Sequence, residues 1–140
     1  PVVDVRVTVT DGKHHSVDSK EIAFVTAGKK AFIQAMKEAG PVVLEPVVDV
    51  EITAAADSIG DITGDLASRR GEVRGADTLV GGLASVRARA PLSELSGYQL
   101  RLNSLTRGEG RYTLALSHYE PVPPSVQQQL TSSHKTRDDD

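Results

Sequence analysis

Valines at positions 3, 5, 7 and 9 alternate with Asp4, Arg6 and Thr8, the period-two pattern of a strand with one apolar face. Asp11-Gly12 is a turn signal. The period then changes. Ile22, Val25, Phe32 and Met36 recur at helical spacing, which predicts a helix from near Lys20 to about Ala39. Ser19 is its expected N-cap, Glu21 falls in its first turn, and Gly40-Pro41 is the stop. A short strand over 42–44 follows. Glu45-Pro46 is the expected junction between two units, because proline disfavours helix before it.

From residue 46 the pattern is fuller. An extended run over 47–53 leads to a helix that Asp57 or Ser58 can cap, with Ile59, Ile62 and Leu66 as its apolar stripe. Gly60 and Gly64 leave one face of that helix open to close packing, and Gly71 ends it. Residues 72–79 and 83–90 read as two strands joined at Gly81-Gly82. Pro91 opens a third helix whose buried face is Leu92, Leu95, Tyr98, Leu102 and Leu105. A last strand over 111–119 should place Tyr112, Leu114, Leu116 and His118 on one face. Strand, helix, strand, strand, helix, strand is the ferredoxin-like βαββαβ order, so the class is α+β. Residues 1–45 supply only strand, helix and strand. That is too little to close a sheet, so they are expected to be the latter half of a domain, and the opening Pro1 fits a fragment or processed product. Residues 123–140, with an Asp-Asp-Asp end, are expected to be a disordered tail.

Composition narrows the function. The 140 residues are 39 % hydrophobic and 25 % charged, which suits a folded domain. No apolar run is long enough to span a bilayer, so no membrane partner is expected. Cysteine is absent, which removes disulfides, zinc–thiolate sites and thiol nucleophiles, and fits a cytoplasmic setting. The net charge of −3 argues against a simple nucleic-acid binder. Residues 46–122 hold no lysine, however, and all eight of their cations are arginine. Arginine suits bidentate phosphate contacts and stacking.

No phosphate-loop GxxxxGK[ST], no G-x-S-x-G elbow and no H-E-x-x-H helix is present, and Gly108-Glu109-Gly110 is a bare turn. Lys13-His14-His15-Ser16 falls in a loop between the first strand and the first helix. Three readings stay open for it: a plain exposed loop, an RNA-contacting loop whose imidazoles stack on bases, or a metal site with Asp18 and Glu21. Arg69-Arg70-Gly71 either complements a helix C-terminus or meets phosphate, and Arg107 and Arg111 carry the same pair of readings. Asp61 and Asp65 share a helix face but bring no nucleophile with them.

Several strings, in order, resemble the C-terminal end of elongation factor G, the ribosomal translocation GTPase family. They are Val9-Thr-x-Gly12, His15-x-Val17-Asp18-Ser19, Ala23-Phe24 and Gly40-Pro41-Val-x-Leu44-Glu45-Pro46. They continue as Gly60-Asp61-x-x-Gly64-Asp65-Leu66-x-x-Arg69-Arg70-Gly71, Ala90-Pro91-Leu92-x-Glu94, Gly97-Tyr98 and His118-Tyr119-Glu120. The resemblance spans nearly the whole chain. It implies that residues 1–45 are the C-terminal half of domain IV, a ribosomal protein S5 domain 2-like fold, and that residues 46–122 are domain V. It also implies that the loop of Lys13, His14, His15 and Ser16 is the domain IV tip, which meets tRNA–mRNA in the ribosomal A site. Arg69, Arg70, Arg107 and Arg111 become candidate RNA contacts of the second domain. GTP and magnesium are expected on an N-terminal domain outside this chain, and the chain itself is expected to be a non-enzymatic, monomeric part of a GTPase.

Four positions depart from the family pattern. His14 stands where an aromatic is usual, and Ala67 where asparagine is usual. Thr106-Arg107-Gly108-Glu109-Gly110 inverts one charge, and the hairpin at Gly81-Gly82 lacks an arginine-glycine-asparagine run. These departures imply a divergent paralogue. The alternatives are a ribosome protection or rescue factor and a free-standing ferredoxin-like binding module.

Overall fold

In the computed structural model, residues 1–17 and 19–134 are described. Asp18, a candidate ligand, and the end of the expected tail, residues 135–140, lie outside the described residues. The chain forms two compact units that divide between Pro41 and Val42.

The first unit contains one helix, α1 (Glu21–Glu38). Ser19 does not cap it. Its Oγ accepts instead from the His15 N–H at 2.6 Å, and Lys20 takes the N-cap position without a side-chain bond. Gly40 follows with φ +69°, the left-handed stop the sequence calls for. The expected strand over Val3, Val5, Val7 and Val9 is not formed. Asp4 turns left-handed at φ +56°, and these valines are 46–87 % exposed. The cause is pairing: a strand is stabilised by a hydrogen-bonded neighbour, and no described segment of residues 1–41 is one.

The second unit is a four-stranded antiparallel sheet under two helices. Strands β1 (Leu44–Ala55), β2 (Glu72–Thr78), β3 (Leu83–Pro91) and β4 (Arg111–Pro121) lie in the order β2-β3-β1-β4. Helices α2 (Ile59–Ser68) and α3 (Tyr98–Thr106) link β1 to β2 and β3 to β4. The βαββαβ order and the mixed α+β class read from the sequence are therefore those of the fold. Val48, Val50, Ile52 and Ala54 of β1 and Val86, Ala88 and Ala90 of β3 point at the helices and meet Ile62, Leu66, Tyr98 and Leu102. Ile52, Ile62, Leu66, Val86 and Leu102 are fully buried. Each such side chain contributes roughly 1.5–3 kcal/mol.

Four local expectations are corrected. The runs at 42–44 and 47–53 are one strand rather than two at a junction. Pro46 is tolerated because it pairs with Tyr119 of β4, while pairing to β3 begins only at Val47. Pro91 ends β3 instead of opening a long helix. A 3-10 turn (Leu92–Leu95) follows, and Gly97 at φ +68° separates it from α3. In β4 the register slips: Leu116 pairs with Val48 and His118 with Val47, so Ser117 is bulged and His118 leaves the face of Leu116. The expected disordered tail is in its first part a helix, α4 (Pro124–Ser133). Its start is tied to the sheet, because the Val122 N–H donates to the Val43 carbonyl at 2.9 Å and the Gln127 side chain accepts from the Val43 N–H.

Candidate functional site

Lys13, His14, His15 and Ser16 are all exposed. The loop is shaped by its own backbone. The His15 N–H donates to Ser19 Oγ, and the Ser19 N–H donates back to the His15 carbonyl at 3.0 Å. The Gly12 N–H donates to its neighbour Asp11 Oδ1 at 2.7 Å. The base of the loop is thus closed, while the imidazoles of His14 and His15 and the Lys13 ammonium face outward. Among the described residues no three His, Cys, Asp or Glu side chains gather to hold a metal.

The four candidate arginines of the second unit separate into two pairs. Arg69 and Arg70, at the end of α2, are engaged internally. Arg69 Nε donates to Asp65 Oδ2 at 2.9 Å, its Nη1 donates to the Glu94 carbonyl at 2.7 Å, and its guanidinium lies 5.3 Å above the Tyr98 ring. Arg70 forms a bidentate pair with Glu45 at 2.7 and 3.0 Å and reaches Glu94 Oε1 at 3.2 Å. Those bonds, with Glu45 first, raise the Arg70 pKa further. Arg107 and Arg111 behave differently. Both are exposed, and neither makes an ion pair among the described residues. Arg107 occupies the left-handed region at φ +55° just after α3, where glycine is the usual residue.

Asp61 and Asp65 are not a working carboxylate pair. Asp65 is taken by Arg69 and by Arg101 Nε at 2.7 Å, while Asp61 stays exposed. Gly60 and Gly64 have open space where a Cβ would stand, so nothing among the described residues packs into that face.

No sequence signal marks Glu45, Asp65, Glu94 and Arg101 as members of one network. Glu45 and Arg70 are 25 residues apart, and Asp65 and Arg101 are 36 apart, so no local spacing announces either contact. The Leu79-Val80 doublet beside Gly81-Gly82 is visible in the sequence, but as a strand end rather than as an exposed tip.

Among the described residues no helix is long and apolar enough to cross a membrane. Residues 1–40 match the family description "Elongation factor G, domain IV", and residues 42–130 match "Elongation factor G C-terminus". Elongation factor G of Gluconobacter oxydans (strain 621H) is 45 % identical over 130 residues, which is 93 % of this chain and 18 % of that protein. A crystal structure of a protein from Thermus thermophilus superposes with a TM-score of 0.72 at 41 % identity, covering 87 % of this chain and 18 % of that one. The chain therefore spans about a fifth of the length of these relatives. With both matches running in chain order and meeting where the two units divide, the chain belongs to the elongation factor G family of translation elongation factors.

Proposed function

We propose that this chain is the ribosome-contacting C-terminal part of a cytoplasmic translational GTPase that promotes tRNA–mRNA translocation. The observation that carries the reading is the loop of Lys13, His14, His15 and Ser16: closed at its base by Ser19, outward-facing at every side chain, and inside the stretch that matches domain IV. Imidazole and ammonium groups presented in this way suit stacking on bases and hydrogen bonding to phosphate and 2′-OH. Its work is mechanical. A loop that contacts the decoding region better after tRNA has moved biases the step forward by that difference in contact.

In the second unit the RNA-contact role falls to Arg107 and Arg111, since Arg69 and Arg70 are spent on Asp65, Glu94 and Glu45. GTP and magnesium are assigned to parts of the protein outside this chain, which carries no phosphate-loop motif. A monomer engaging ribosomal RNA and tRNA–mRNA is the expected working form.

The absence of cysteine makes the test direct. In the protein carrying this chain, cleared of any other cysteine, His15→Cys bearing an iron chelate is expected to cleave small-subunit decoding RNA, with Ser125→Cys as a binding control. Cleavage from Ser125 alone would mean binding without insertion of the loop, and would overturn translocation. His15→Ala is expected to slow tRNA movement more than it weakens binding; equal loss of both would overturn the loop's role.

A further inference from the structure

The hairpin between β2 and β3 ends in an apolar tip. Leu79 and Leu83 are 41 % and 40 % exposed, and Val80 is 95 % exposed. The tip is ordered by its backbone. Gly81 and Gly82 adopt φ +80° and +75°, the Leu79 N–H donates to the Leu83 carbonyl at 2.8 Å, and the Ala56 N–H donates to the Gly82 carbonyl at 2.9 Å. That last bond ties the tip to the turn that leads into α2, so Val80 is presented from a fixed frame.

The charge around the tip selects the partner. Between Arg74 and Arg87 the only charged residue is Asp77, and Arg87 holds it at 3.1 Å. Phosphate contacts rest on cations and directed polar donors. A tip of Leu79, Val80 and Leu83 has no such side chain and gains instead by leaving water for an apolar cleft. We propose that Val80, flanked by Leu79 and Leu83, docks into an apolar cleft on a protein surface of the ribosome, leaving RNA phosphate to Arg107 and Arg111. This rests on the ribosome-binding reading and adds a protein contact to it.

The test places a benzophenone amino acid at position 80 of the otherwise unaltered protein, adds purified ribosomes and irradiates. The expected product is destroyed by protease and survives ribonuclease. In parallel, Val80→Asp is expected to weaken ribosome binding about tenfold, as loss of one buried valine should. Its salt dependence and melting temperature should stay unchanged. Leu100→Asp, at an exposed apolar position on α3 (79 %), should cost less than about twofold. A cross-link to RNA, a cross-link to a second copy of the chain, or binding with no cross-link at position 80 overturns this proposal and leaves the ribosome reading standing. So does an equal loss from both aspartates, which would be charge repulsion alone. Absence of ribosome binding by the unaltered protein overturns both.

Discussion

Arg70 grips Glu45 with two nitrogens: Nη1 donates to Oε1 at 2.7 Å and Nη2 to Oε2 at 3.0 Å. The contact ties the end of α2 to the start of β1, and Arg70 makes it from the left-handed region at φ +57°. A paired charge, rather than a glycine, therefore occupies a backbone position that ordinarily disfavours a side chain.

Arg70→Ala should lower unfolding free energy by about 1–3 kcal/mol, since it strands a carboxylate that is largely buried. Arg70→Gly loses the same pair but relieves the left-handed backbone, so its denaturation midpoint should fall between those of the alanine variant and the parent. Equal midpoints for parent and alanine variant would show that water screens the pair.

Burial pushes the Asp65 carboxyl up, but hydrogen bonds from Arg101 and Arg69 outweigh it and hold the group below the ordinary carboxylate range. The unfolded chain therefore takes up that proton before the folded one does. The stability Asp65 contributes is full above about pH 4 and is lost as pH falls through its folded value. Asp65→Asn should lower the melting temperature at pH 7 and flatten its decline below about pH 4. An unchanged acid limb would assign the decline to other carboxylates.

Tyr98 is fully buried, its ring edge-on to Tyr112 at 5.3 Å, and its hydroxyl has no hydrogen-bond partner among the described residues. Burial, with the nearby Asp65 charge, pushes its pKa up to about 12. Tyr98→Phe should therefore match or exceed the parent in stability at pH 7, while Tyr98→Ala should cost about 3–5 kcal/mol. Because the unfolded tyrosine ionises first, parent stability should drop between about pH 10 and 12. The phenylalanine variant should lose less over that window, as a pH series of denaturant melts would show.

Two glycines of the α2 region should respond oppositely to alanine. At Gly64, within the helix, a Cβ meets nothing within 4 Å, so Gly64→Ala should stabilise by about 0.5–1 kcal/mol. At Gly71, just past the helix, a Cβ would lie 2.6 Å from the Leu66 carbonyl oxygen, so Gly71→Ala should destabilise by roughly 1–3 kcal/mol. Thermal melts of the two single variants check both signs.

The elements of the second unit were legible in the sequence because their signals are local. Period-two runs, the Ile62 and Leu66 stripe, and glycines at turns act within a few residues. Tertiary structure decided whatever depends on a distant neighbour. The valines at 3, 5, 7 and 9 alternate correctly yet form no strand, because backbone groups need a strand beside them. Pro46 continues a strand because only β4 pairs with it there. Most sharply, Arg69, Arg70, Arg107 and Arg111 look alike along the chain, each beside or near a glycine at an element boundary. Folding brings Glu45, Asp65 and Glu94 against the first two and no carboxylate partner among the described residues against the others. Sequence determined where the cations are. The pairing of charges across the fold determined which of them are left to meet a partner, since ion pairs act through space and not along the chain.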